Sequence, residues 1–369
     1  MPILILRLVT AWASVAAFYF LADPLLGHLD TPLVAVAVFL WLLAVIMWTA
    51  FGVVHEAEVL AHRLGEPYGT LILTLAIVII EVALISAVML GAKGAPTLGR
   101  DTMFAVLMIV LNGVVGLGLL LGGMKHFAQR YNLKGAASYL AIIIPLAVIP
   151  LILPNFTTSV SDGSLTRFQA ISFSIFTLML YGAFLVLQTG RHAEFYREPS
   201  AETAPVQEED TGIQEAADDG PIVPHLLLLL LNILPIVLLA KSLAKVLDFG
   251  IGRLGAPTAL GGILIAMIVF TPECITALRA ITANQLQRAI NLCLGAAAST
   301  LGLTVPAILV IGLLTGQNVV LGLSATNMIL LAMTLVLSTL TFTGTRTTML
   351  EGAVHLGVFF VFLVLVFSP

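Results

Sequence analysis

Along its length the chain alternates long apolar runs with short polar connections, and one extended polar stretch interrupts it near the middle. A helix needs about 20 apolar residues to cross roughly 30 Å of hydrocarbon. That length predicts eleven spans. Six precede the interruption: Ile3–Ala22, Leu33–Val54, Gly69–Gly91, Thr102–Gly122, Ala136–Pro154 and Phe168–Gln188. Five follow it: Ile222–Val246, Ala259–Ile281, Ala289–Thr315, Val319–Phe342 and Leu350–Phe367. The expected fold class is an all-α polytopic membrane protein. The first run lacks a small-residue cleavage pattern and is long enough to span, so it reads as a retained leading helix.

Composition sharpens this picture. Of 369 residues, 59% are hydrophobic and only 10% charged, against about 25% charged in ordinary soluble domains. The net charge is −4, and nine of the 20 acidic residues fall between Arg191 and Pro221, so the imbalance belongs to a solvated, acid-rich linker and points to no nucleic-acid partner. Cys274 and Cys293 sit in apolar runs, where a thiol is a small hydrophobe, and imply no disulfide framework. Lys and Arg favour cytoplasmic loops. With the N-terminus inside, ten of the 16 basic residues lie in inside segments, which predicts a multi-pass protein of the inner (plasma) membrane with a cytoplasmic linker and an outside C-terminus.

The chain also resembles itself. GEPYGTLILTLAIVIIEVALISA from Gly65 aligns with GAPTALGGILIAMIVFTPECITALRA from Gly255, allowing two extra residues in the second copy. Gly65 then matches Gly255, Pro67 matches Pro257, Gly69 matches Gly261 and Glu81 matches Glu273. Upstream, His55, Glu58 and Arg63 fall against Lys245, Asp248 and Arg253. The expected organisation is a leading helix (1–32), a first five-helix repeat (33–189), the acidic linker (190–221) and a second five-helix repeat (222–369). Because five is odd, equivalent helices enter from opposite sides, giving an inverted repeat of the kind used by secondary transporters.

Glu81 and Glu273 both fall near mid-membrane, where an ionised carboxylate is costly unless it meets a cavity, a partner or a proton. Two such groups at symmetry-related positions fit a site that binds either a cation or protons. Competition for the same oxygens would couple the two fluxes. Pro272, beside Thr271, predicts a helix break at the second glutamate that frees carbonyl ligands. Asn112 in the fourth helix and Ser299 in the ninth are further candidate ligands, although small-residue helix packing explains those segments as well. Lys241, deep in an apolar helix, is either a snorkelling side chain or an intramembrane charge partner for Glu273 or Glu351. His55, Glu58 and His62 share one helical face, as an interfacial surface or as a proton or metal sensor.

At GEPYGTLILTLAIVIIEVALISA and TPECITALRAITANQLQRAINLCLGAAASTLGLTVPAI the sequence resembles the calcium/proton exchanger family of the cation/calcium exchanger superfamily, and within it the bacterial Cha-type antiporters. The resemblance covers nearly the whole chain. It implies that Glu81 and Glu273 ligate the transported cation and that helices two and seven act as sliding gates. The family pattern places Gly-Asn-Ala before each glutamate, whereas Val78, Ile79 and Ile80 or Phe270, Thr271 and Pro272 stand here. Calcium takes six to eight oxygens. Backbone carbonyls, water, Asn112 or Ser299 must therefore complete the shell, or the site is less calcium-selective.

The resulting expectation is a secondary antiporter, not an enzyme, that exports Ca2+ in exchange for H+. It needs no resident cofactor, and its partners are cations, protons and the bilayer. Sodium or potassium/proton exchange is the alternative within the class, and a cation channel is the alternative outside it. A zinc-protease motif starting at His55-Glu56 would need His at position 59, which is Val.

Overall fold

The computed structural model describes residues 2–22, 26–64, 68–91, 96–160, 162–199, 222–344 and 346–368. Eleven helices follow one another: α1 (Pro2–Phe20), α2 (Pro32–Leu64), α3 (Tyr68–Gly91), α4 (Leu98–His126), α5 (Leu133–Leu151), α6 (Arg167–Thr189), α7 (Ile222–Leu254), α8 (Ala259–Thr282), α9 (Leu286–Thr315), α10 (Ala325–Thr341) and α11 (Met349–Phe367). Among the described residues nine are long and apolar enough to span, and two shorter apolar helices, 74–90 and 325–341, bring the set to the eleven expected. Gly65, Pro67, Lys93 and most of the linker, 200–221, lie outside the described residues.

Three boundaries differ from the hydropathy reading, each for a local reason. Helices α2 and α7 run on to Leu64 and Leu254, because HEAEVLAHRL and KVLDFGIGRL keep an amphipathic helical pattern beyond the apolar run. Helix α10 begins only at Ala325. Residues 320–323 are instead tied across the loop, their N–H groups donating to the carbonyls of Pro96, Gly163 and Leu151, and the Ser324 hydroxyl caps the helix. The predicted break at Pro272 is absent. Helix α8 is continuous through it, and the irregular turns fall in α4 and α9, where Met108–Val114 and Thr300–Thr304 are wound as π-helix.

Those two π segments occupy equivalent helices of the two halves, and other features repeat likewise. Helices α6 and α11 both open with a capping box, Thr166 with Gln169 and Thr348 with Glu351. Strand β1 (Gln129–Arg130), after α4, pairs antiparallel with β2 (Arg346–Thr347), before α11, while Ser164, before α6, bridges to Val320, after α9. Exchanging the halves converts one pairing into the other. An odd number of helices separates them, so they lie at opposite membrane faces, as an inverted repeat requires.

Helices α4 and α9 form the centre: 78% and 67% of their apolar windows are buried, against 22% for α1 at the edge. Close crossings depend on glycine. A Cβ on Gly262 of α8 would lie 2.7 Å from the Thr102 backbone nitrogen of α4, and one on Gly352 of α11 would lie 2.5 Å from the Leu120 nitrogen. Outside this centre α2 and α7 pack along each other, and α1 packs on both.

Candidate functional site

Helices α3 and α8 pack together and carry the two glutamates. Glu81 has no exposed surface. Its Oε2 accepts hydrogen bonds from the hydroxyls of Thr300 (3.1 Å) and Thr304 (3.0 Å), while its Oε1 is buried without a partner. Both threonines come from the π segment of α9, whose widened turn sets residues four apart on one face. Gly302 between them lets Tyr181 of α6 close in, since a Cβ there would lie 2.6 Å from that ring.

Glu273 is placed differently. It lines a cavity of about 420 Å3 together with Ser299, Thr74, Tyr181, Asn291 and Gln188, and Arg197 on the segment after α6 and Arg288 in the first turn of α9 also border it. Its Oε2 is buried without a hydrogen-bond partner. The negative charges of Glu81 and of Glu58 both act on it. One carboxylate is thus enclosed by hydroxyl donors and the other faces an open cavity. The segment after α6 forms part of the wall. Asn291 donates to the Tyr196 carbonyl at 2.6 Å, and Tyr196 stacks edge-on against Tyr139 and Phe184. Glu198, exposed at the edge of that wall, then accepts from the backbone N–H groups of Gln287 and Arg288 at the start of α9, and partial loss of hydration nonetheless holds its carboxyl above the ordinary range.

The remaining candidates separate. Asn112 is not turned to the glutamates: its Oδ1 lies 3.0 Å from Nδ1 of His355, its Nδ2 donates to Thr334 at 2.8 Å, and Thr341 completes the chain at 3.0 Å from Nε2 of His355. Both ends of this buried amide are engaged in that net. The Thr271 hydroxyl turns back to the Met267 carbonyl at 2.5 Å, as threonines in membrane helices do. Ser299 bonds the Ala296 carbonyl yet remains on the cavity wall beside Glu273. Glu351 completes the α11 capping box, accepting from the Thr348 N–H at 2.6 Å. Lys241 is exposed on α7 and makes no ion pair among the described residues, which fits the snorkelling alternative.

Sequence reading missed Thr300 and Thr304, taking Ser299 as the oxygen donor of that turn. Only the π winding brings the pair around to Glu81. It also passed over His355, a lone imidazole in an apolar helix and fully buried. Among the described residues no group of three or more His, Cys, Asp or Glu could hold a metal. A cation here would rest on two carboxylates, hydroxyls, carbonyls and water. Both cysteines are free.

Two inverted five-helix halves, with a buried carboxylate contributed by each at their interface, define a membrane cation exchanger of the alternating-access kind. The sequence matches the sodium/calcium exchanger protein family over residues 34–190 and 224–368, and the chain belongs to that family. It is 41% identical over 322 residues to the putative ionic transporter y4hA of Sinorhizobium fredii (strain NBRC 101917 / NGR234), covering 86% of this chain and 85% of that one. It is 37% identical over 348 residues to the sodium-potassium/proton antiporter ChaA of Escherichia coli (strain K12), covering 93% and 92%. Its fold matches native YfkE (TM-score 0.72, 16% identity, covering 98% and 100%) and the H+/Ca2+ exchanger CAX (0.66, 13%, 98% and 87%).

Proposed function

We propose that the protein is a secondary cation/proton antiporter that exports Ca2+ in exchange for H+ by alternating access. The observation that carries this reading is the asymmetric pair of glutamates, Glu81 enclosed by two threonine hydroxyls and Glu273 open to a cavity. In this reading a cation enters past Glu273, displaces its proton and draws Glu81 into a shared shell with Ser299, Thr300 and Thr304. Helices α2 and α7 then slide against the core to re-expose the site, and protons from the other side release the ion. The cavity opens to the linker side, which is the cytoplasmic side when the N-terminus is inside and the protein sits in the inner membrane.

Sodium or potassium/proton exchange is the second reading. It is favoured by the lack of an asparagine in the residues just before each glutamate, Val78–Ile80 and Phe270–Pro272, and by the 37% identity to a sodium-potassium/proton antiporter. The test is proton flux in proteoliposomes with calcium, sodium and potassium supplied separately. Calcium-driven flux abolished by Glu81→Gln and by Glu273→Gln supports the first reading. Flux driven by sodium or potassium alone supports the second, and full activity in both variants overturns the two-carboxylate site. Unitary conductance in single-channel recordings would replace an exchanger with a channel.

A further inference from the structure

A second buried ionic cluster lies away from the two glutamates, where α1, α2 and α7 meet. Glu56 of α2 is 2% exposed, and its Oε2 lies 2.8 Å from Nδ1 of His225, which is part-exposed one turn into α7. Arg7 of α1 is also buried, with Nε and Nη2 lacking hydrogen-bond partners, and Glu56 acts on it electrostatically. Asn232, two turns along α7, leaves its Oδ1 unpartnered. Gly52 makes room for this arrangement: a Cβ there would lie 2.4 Å from Nε of Arg7 and 2.6 Å from Oδ1 of Asn232, so those two atoms are no more than about 5 Å apart. Four polar side chains from three helices thus share one apolar crossing, and burying them without a role is expensive.

We infer that Glu56 and His225 form a proton-binding lock that fixes the register of α2 against α7, with Arg7 positioning the Glu56 carboxylate. Neutral His225 gives Glu56 one hydrogen bond. Protonated, it makes a full ion pair between the two helices, and a charge-assisted bond is about twice as strong. The pair joins the helices read above as gates, so it holds the register of the state open to the linker side. Turnover slows as that face acidifies and speeds as it becomes alkaline, the direction useful to a protein that carries protons inward.

The groups that could compete with His225 are few. Helix α1 contributes Arg7, with Tyr19 exposed at its far end, and on α2 His55, Glu58 and His62 are exposed while Arg63 lies seven residues beyond Glu56. Helices α3 and α8, packed on the same pair, contribute Glu81 and then Glu273, Cys274 and Arg279, none of which forms an ion pair with Glu56 or His225 among the described residues.

This inference rests on α2 and α7 being gates, and its test separates the two. Maximal exchange rate at saturating cation is measured in proteoliposomes while the pH of each face is varied in turn. Saturation removes proton competition at Glu81 and Glu273. The wild-type rate should fall about tenfold as the linker face is taken from about pH 8 to about pH 6. His225→Gln, which keeps a neutral donor, should stay within roughly twofold across that range, while His225→Lys, permanently charged, should stay slow throughout. General damage to the fold would slow both variants alike. A transport-independent readout is the melting temperature in detergent: Glu56→Gln should cancel the part of its pH dependence that His225→Gln also cancels. A profile that follows the opposite face keeps the lock and overturns the assigned orientation. Wild-type pH dependence of both rate and melting in the His225 variants overturns the lock, whichever cation drives flux.

Discussion

Replacing Thr304 by Val removes one hydroxyl and almost nothing else, because the two side chains are nearly the same shape. In the structure that hydroxyl donates to Oε2 of Glu81 at 3.0 Å, Thr300 supplies the other donor at 3.1 Å, and Oε1 has none. The variant halves the donors of a carboxylate with no exposed surface. A hydrogen bond to a charged group contributes about 1.5–3 kcal/mol. Donors of this kind stabilise the ionised carboxylate, the form that binds a cation, so their loss should raise the cation KM roughly ten- to hundredfold. The assay is cation-dependent proton flux in proteoliposomes, with KM and maximal rate determined separately at several pH values. We expect KM to rise, the maximal rate to change little, and the KM defect to grow toward acid pH as protons compete better. Thr300→Val should behave alike and the double variant more severely. A wild-type KM in both single variants would refute the reasoning and reduce the hydroxyls to helix packing.

Asn112→Ala strips the buried net from His355 and Thr334 and should cost about 1–3 kcal/mol, read as a lower melting temperature, while the cation KM stays unchanged; a raised KM at wild-type stability would restore Asn112 as a ligand. Gly262→Ala forces α8 off the α4 backbone and should destabilise by about 1–3 kcal/mol, measured by thermal unfolding in detergent. Arg288→Gln lightens the positive charge around the Glu273 cavity, so the apparent cation KM should fall at low ionic strength and return toward wild type as salt rises. Glu198 is a carboxyl raised by partial loss of hydration, so the stability tied to it is full at acid pH and declines as pH rises past the unfolded value; Glu198→Gln should raise the melting temperature slightly at neutral pH and leave it unchanged in acid.

Much of the architecture was legible in one dimension. Run length dictates the number of spans, because a bilayer without water leaves a helix little choice but to satisfy its own backbone. The paired GEP and GAP segments announce the duplication, and an odd helix count makes it inverted. A carboxylate in each copy marks the candidate site for the same reason: burying Glu81 and Glu273 in hydrocarbon is costly. What the sequence left open are the relations between helices. It took Pro272 as a break, yet a single missing N–H is absorbed by a continuous α8, and the irregular turns sit where no proline marks them. Asn112 and the Thr300–Thr304 pair lie in matching turns, yet only Asn112 stood out as a candidate in the sequence. Their azimuth depends on one extra residue per π turn, which no periodicity rule registers, and that turn sends Asn112 to His355 while bringing two threonines to Glu81. The cluster of Arg7, Glu56 and His225 was equally invisible, because its members are separated by 49 and 169 residues and meet only when three helices cross. Length and burial cost act on each segment alone, so the sequence by itself determined the spans, the duplication and the two carboxylates. Which oxygen faces which carboxylate depends on helix rotation and packing, and only the tertiary structure decided it.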